Sequence, residues 1–186
     1  GVQEDTLIVN IGARSTNLVF VNDDGFFVRT FNLGGNTLTQ GLADNLGKKF
    51  AQAEQVKTAY FSGQTNFGAD DSAGQILEQN KASFLKRFSQ EITRSIVNYR
   101  RQKGAKAPTR ILLTGRGSFL DGLAENLSET QKVNVDYFDA LSGLQLGSGV
   151  NASEMDGYQY QLSELVGEAC RTLVDDPVGT NLLQIG

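Results

Sequence analysis

Histidine is absent from this 186-residue chain, and that absence removes several kinds of chemistry at once. A Ser-His-Asp triad, a Cys-His pair and any zinc site built with imidazole are excluded. Cysteine is almost absent: Cys170 stands alone, so it has no internal disulfide partner, which fits a reducing compartment. No apolar run approaches the roughly 18 residues that span a bilayer, and no basic-then-apolar leader opens the chain. A net charge of −4 gives no reason to expect a nucleic-acid partner. These absences predict a soluble, cytosolic protein.

What is present is ordinary for a globular domain: 39% hydrophobic and 20% charged residues. A chain of this length buries roughly 70% of its unfolded surface without disulfide or metal staples. Gly1 to Asp5 leads almost at once into a strand-like run, as a complete domain or a piece cut at an internal boundary would.

Three strands come first. Leu7 to Ile11 is continuously apolar, as in a strand buried on both faces. Asn17 to Val21 follows a turn, and Asn22-Asp23-Asp24-Gly25 is a hairpin signal before a third strand from Phe26 to Leu33. Together they predict an antiparallel meander. Asn36 or Thr37 caps a helix running to Gly47, with Leu38, Leu42 and Leu46 on one face. A second helix covers Phe50 to Ala59, and Ser62 to Gly74 reads as a loop or reduced subdomain. A long amphipathic helix from about Gln75 to Arg101 repeats Phe84, Phe88, Ile92 and Ile96, widened by Leu77, Leu85 and Tyr99, and ends before Gly104 and Pro108. Arg110 to Thr114 is a buried strand, Phe119 to Leu127 a short helix and Val133 to Tyr137 an edge strand. A last helix covers about Tyr160 to Leu173, with Cys170 as a small buried hydrophobe. The order describes a mixed α/β sheet with packed helices.

Two turns share one design, an apolar strand feeding glycine and hydroxyl residues. One is Gly12-Ala13-Arg14-Ser15-Thr16 and the other Gly115-Arg116-Gly117-Ser118. Glycine lets backbone amides approach an anion, hydroxyls add donors, and the helix after the second turn favours negative charge at its start. Taken singly, either reads first as a tight turn between elements, since isolated glycine motifs are weak.

The segment VNIGARSTNLVFVNDDGFF resembles the second phosphate-binding hairpin of the actin, hexokinase and heat-shock-chaperone superfamily. LGGNTLTQGLADNLG followed by AQAEQVK resembles the corresponding helices of PilM and of the division protein FtsA, and ILLTGRGSFLDGLAENL the superfamily's adenosine motif. SELVGEACRTLVDD and TNLLQIG are similar to the C-terminal helix and tail of PilM proteins, and the short middle insertion favours PilM over FtsA, actin or sugar kinases. The resemblance implies the second lobe, the C-terminal half, of an actin-like ATPase (ribonuclease H-like) fold. Residues 1–48 and 75–186 would form its core and 49–74 a reduced inserted subdomain.

It also implies site residues. Gly12, Ala13, Arg14 and Ser15 would line the β- and γ-phosphates, with Thr16 closing the turn. Gly34 and Gly35 would sit where a helix starts beside the nucleotide. Glu54 and Lys57 would approach ribose and adenine, although the same pair reads equally as a solvated i, i+3 ion pair. Gly115, Arg116, Gly117 and Ser118 would pass the adenosine. The ligand implied is ATP or ADP. Departures weaken it: Asn10 stands where the family has an aspartate, losing the charge that helps hold magnesium and orient water. Arg116 replaces a small residue and would stack on adenine or obstruct it. The first phosphate turn belongs to an N-terminal half that this sequence does not contain, so nucleotide should bind weakly and turnover should be negligible.

The expected role is a cytosolic assembly or scaffold component of a type IV pilus or related type II secretion machine, peripheral to the inner face of a bacterial inner membrane. Its partner would be an inner-membrane protein of PilN type, engaged through the missing half, and a homodimer is compatible. A small-molecule kinase or ATPase of the same superfamily, or an FtsA-like filament protein, are the rival readings. Three further features stand apart. Arg94, Arg100, Arg101, Lys103 and Lys106 form a basic helix end that suits the helix dipole and solvent, or a membrane or partner surface. Asp70-Asp71 reads as a surface turn, and the Phe84 to Ile96 stripe as core.

Overall fold

A computed structural model describes residues 5–22, 25–65, 67 and 71–138. The expected helix at 160–173, Cys170, the C-terminal tail, Asp70 and the hairpin tip at Asp23 and Asp24 lie outside the described residues.

The apolar runs become strands where they were expected: β1 Thr6–Ile11, β2 Thr16–Asn22 and β3 Gly25–Phe31 form the antiparallel meander. β3 stops two residues short of Leu33, because the chain folds back there and the Thr16 hydroxyl donates to Leu33 O at 2.7 Å. α1 (Gly35–Leu46) starts before the expected caps, Asn36 and Thr37. Tertiary partners extend it: the Gly35 and Asn36 amides donate to Gly12 O and Ala13 O at 3.1 and 2.7 Å. Thr37 acts from inside the first turn, its Oγ1 accepting from the Gly34 amide. Gly47, at φ 60°, ends the helix in the left-handed conformation glycine tolerates.

α2 (Phe50–Phe61) packs on α1 and sends Ala53 into the common core. α3 (Ser72–Tyr99) starts three residues before the expected Gln75, capped by Asp71, whose carboxylate accepts from the Ala73 amide. Its stripe is the spine of the core: Leu77, Phe84, Leu85, Phe88, Ile92 and Tyr99 are buried. Phe88 meets Phe31 edge-on at 5.4 Å and Tyr99 stacks on Phe20 at 4.3 Å.

β4 (Arg110–Thr114) runs parallel to β1, and β5 (Asn134–Tyr137) parallel to β4, giving the order β3-β2-β1-β4-β5. The expected helix from Phe119 is displaced. Residues 116–119 form one 3₁₀ turn, Gly122 takes φ 78°, and α4 runs from Leu123 to Gln131. Both parallel crossovers step the same way along the sheet, so their usual right hand puts all four helices on one face. Leu7, Val9, Ile11, Leu18, Phe20, Ile111 and Leu113 meet them there. Among the described residues no helix is long and apolar enough to cross a membrane.

Where the strands start, a buried carboxylate ties three segments. Asp5 accepts from the Tyr99 hydroxyl at 2.8 Å and from the Lys106 amide at 2.7 Å, while its carbonyl accepts from Thr109. Nothing in the sequence pattern marks this residue.

Candidate functional site

The parallel register of β1 and β4 brings the two glycine turns together. Asn10 pairs with Thr114, so both turns leave the sheet side by side at its carboxyl edge. Glycine is required there for contact between backbones. A Cβ on Gly115, which sits at φ 84°, would lie 2.5 Å from both Asn10 Oδ1 and Ile11 O. A Cβ on Gly117 would overlap the Ile11 side chain.

The first turn is closed by the Gly12 amide donating to Ser15 O at 3.0 Å. It then docks on α1 through its carbonyls, and a Cβ on Gly34 would meet Gly12 O at 2.5 Å and Ala13 O at 2.7 Å. The first two amides of α1 are therefore satisfied by protein carbonyls. At this corner the exposed Ala13 and Arg14 are the residues whose amides have no acceptor among the described residues, the geometry an anion would need. Two expected donors are spent internally. Thr16 bonds Leu33 O, and the buried Ser118 hydroxyl donates to Gly115 O at 2.6 Å.

Glu54 and Lys57 meet the same corner from α2. Lys57 Nζ lies 2.9 Å from Glu54 Oε2, 2.7 Å from Thr39 Oγ1 and 3.3 Å from Gly35 O, and the Thr39 hydroxyl bonds the Glu54 carboxylate. The pair thus bolts α2 to the first turn of α1. Burial pushes the Glu54 carboxyl up, but the hydrogen bonds from Thr39 and Lys57 and the lysine charge outweigh it and hold it below its ordinary value.

Between these elements lies a cleft of about 340 Å³. Of the residues expected from sequence, Gly35, Lys57, Arg116 and Gly117 line it. Glu54 and the 12–16 turn adjoin the cleft through Gly35 and Ile11 and do not line it. Sequence reasoning missed its apolar walls, Ile11, Leu38, Phe61, Phe84, Phe119 and Leu120. Phe84 and Leu38 are legible as stripe residues, but periodicity alone does not distinguish a cleft wall from a core contact. Lys81 braces the far side. Its ammonium pairs with Glu78 at 2.9 Å and Asp121 at 3.0 Å and lies 5.5 Å from the Phe61 ring centre. Desolvation lowers its pKa, and those hydrogen bonds and charges raise it by more.

At the ends of β1 and β4, on the sheet face opposite Ile11 and outside the cleft lining, two polar atoms are orphaned. Asn10 and Thr114 are 7% and 5% exposed, and among the described residues neither Asn10 Oδ1 nor Thr114 Oγ1 has a hydrogen-bond partner. Buried polar atoms left this way cost about 1–3 kcal/mol each. A phosphate-bearing ligand fits the exposed amides and glycine backbone of the neighbouring turns. A protein-held magnesium ion does not fit. Asn10 offers a neutral oxygen where a hard cation favours carboxylate, and among the described residues no three His, Cys, Asp or Glu side chains cluster.

Comparison with known proteins places this geometry. The family described as "Type IV pilus assembly protein PilM" matches residues 1–173. Among solved structures, the chain is similar to one described as "PilM-PilN type IV pilus biogenesis complex", with 25% identity and a TM-score of 0.69 over 91% of this chain and 46% of that one. It shares its fold with the ethanolamine utilization protein EutJ from Carboxydothermus hydrogenoformans, with 20% identity and a TM-score of 0.53, over 72% of this chain and 44% of the other. It also shares it with an archaeal actin homologue, with 13% identity and a TM-score of 0.54, over 92% and 50%. The fold is therefore that of the actin-like ATPases. The chain spans about half the length of these structures. No curated protein matches it.

Proposed function

The chain belongs to the PilM family of type IV pilus assembly proteins, and from that membership we propose that it acts as an assembly scaffold whose cleft takes an adenine nucleotide as a conformational ligand. On this reading it is the second lobe of a two-lobed cleft, with residues 49–74 as its shortened insertion. A PilN-type protein, the companion of PilM in a similar solved complex, would be its partner, and the inner face of a bacterial inner membrane its place of work. The observation that carries the reading is the meeting of two glycine turns over the orphaned Asn10 and Thr114, beside a cleft lined by Gly35, Lys57, Arg116 and Gly117.

Bound there, a nucleotide would supply phosphate charge and a flat apolar base. The Ala13 and Arg14 amides would hold the phosphates, and Lys57 would neutralise charge near Gly35. The Ile11, Leu38 and Phe119 walls, with Arg116 at the rim, would take the base. At the carboxyl end of β1, Asn10 stands where a carboxylate would orient an attacking water, so binding without turnover is expected.

Nuclear magnetic resonance titration of the chain with ADP tests this directly. Millimolar ADP should shift the amides of residues 12–16, 35, 57 and 115–118 and leave those around Asp5 unmoved. Unmoved site amides would remove the nucleotide reading. Steady phosphate release from ATP, abolished by Gly115→Ala, would favour the ATPase alternative.

A further inference from the structure

From Ile92 to Leu120 the chain has no acidic residue. Within that stretch Arg100, Arg101, Lys103, Lys106 and Arg110 accumulate in a protein whose net charge is −4. The helix dipole accounts for Arg100, the C-cap of α3, but not for the others, because the last turn of α3 contains no basic residue and they follow the cap. Those others stand beyond the helix, on the loop before β4 and its first residue.

The fold gathers these charges and adds another. Thr6 pairs with Arg110 and Arg110 with Asn134, so β1, β4 and β5 start together. Lys132, in the α4–β5 connection, therefore joins the same end of the sheet. All six side chains are exposed, and none forms an ion pair among the described residues. Asp5, beneath them, is buried and turned inward to Tyr99 and the Lys106 amide. Glu129 on the last turn of α4 is the nearest acidic neighbour of Lys132 in the chain, and the two do not pair. Val97 is 46% exposed one helical turn before Arg101.

We propose that this end of the sheet is a contact surface for an anionic phospholipid bilayer. The six cations come from three separate segments at one end of the sheet, and among the described residues none is neutralised by an acidic side chain. That distribution suits a laterally diffuse charged plane. Among the described residues the end exposes no large aromatic side chain on which a nucleic-acid base would stack. Val97 supplies an apolar point beside the arginines, as interfacial contacts use. The glycine turns and the cleft leave the opposite, carboxyl edge of the same strands, so a chain seated on the bilayer this way keeps its cleft open to solvent.

Flotation of the full chain with vesicles tests the surface. One set is phosphatidylcholine alone, and in the other a third of the lipid is phosphatidylglycerol. The wild type should float with the anionic vesicles at about 0.1 M salt and be released at about 0.5 M, where the screening length has halved. Each basic residue near such a surface contributes about a fivefold factor. The variant R100Q/R101Q/K103Q/K106Q should therefore partition on the order of 500-fold more weakly. The control variant K48Q/K49Q/K86Q/R87Q removes the same charge from exposed positions on other elements and should change partitioning by less than about threefold. Equal loss in both variants, no loss in either, or equal binding to neutral vesicles overturns the proposal. So does a wild type that ignores anionic vesicles but is retained on immobilised polyglutamate, which would assign this end to an acidic protein. Circular dichroism melting of both variants verifies that they are folded.

Discussion

Replacing Gly34 by alanine should damage this protein, and replacing its neighbour Gly35 should not. Gly34 has φ −159° and ψ −169°, an extended conformation open to any residue, so backbone strain plays no part. The cost is steric. The added methyl would lie 2.5 Å from Gly12 O, 2.7 Å from Ala13 O and 2.8 Å from Ala13 C, all backbone atoms that cannot swing aside. Relief requires the 12–13 turn and the start of α1 to separate by about half an ångström or more. That stretches the Gly35-to-Gly12 hydrogen bond, already 3.1 Å, out of range and weakens the Asn36-to-Ala13 bond. Overpacking costs about 1–3 kcal/mol and a lost hydrogen bond about 1 kcal/mol, which together make about 2–4 kcal/mol. For a domain of this size that lowers Tm by about 5–15 °C. A methyl on Gly35 meets only Lys57 Nζ, at 3.9 Å. Gly35→Ala should be neutral, or stabilise by up to about 1 kcal/mol through the stiffer unfolded chain and better helix propensity. Urea unfolding of the two variants, followed by circular dichroism, separates these outcomes. If Gly34→Ala costs under about 0.5 kcal/mol, or Gly35→Ala costs as much as Gly34→Ala, the docking of the turn on α1 has been misread.

Three further substitutions probe two other joints. The Glu54 carboxyl is held below its ordinary value of 4.5, so its contribution is present above that pH and is lost as pH falls through the lowered folded value. With Glu54 partly exposed, Glu54→Gln should cost only about 0.5 kcal/mol near pH 7. Its difference from the wild type should shrink on acidification below 4.5, and a difference that persists unchanged in urea melts at acid pH would contradict the ion-pair account. At the opposite end, Tyr99→Phe removes a hydroxyl that donates to Asp5 and accepts from Asn22 Nδ2 and should cost about 1–2 kcal/mol. Asp5→Ala, which strands that hydroxyl and the Lys106 amide, should cost more, about 2–4 kcal/mol. Equal tolerance of both in thermal melts would mean the cluster does not tie the strand starts.

Local pattern was sufficient for most elements. The apolar runs at Leu7–Ile11 and Arg110–Thr114, the hairpin between β2 and β3 and the four-residue phenylalanine spacing of α3 each announce themselves within a dozen residues. The order of the glycine turns likewise led to an actin-like fold without any tertiary contact. The sequence misplaced the start of α4, where a 3₁₀ turn after Gly115 and a left-handed Gly122 hold the chain out of the helix. It also misplaced the start of α1, where carbonyls from a turn about twenty residues earlier supply the missing partners.

By itself, then, the sequence determined which segments are strand and helix and which faces are apolar, because hydrophobic period and turn chemistry act between near neighbours. Only the tertiary structure decided which glycines must be glycine, where the two turns meet and which charges share an end. Those facts depend on the parallel register of β1 with β4, a pairing of residues about a hundred positions apart. That register sets Asn10 beside Thr114, with both side chains short of partners among the described residues. At the other end of the same strands it joins Lys132 to the basic run that the sequence already shows from Arg100 to Arg110.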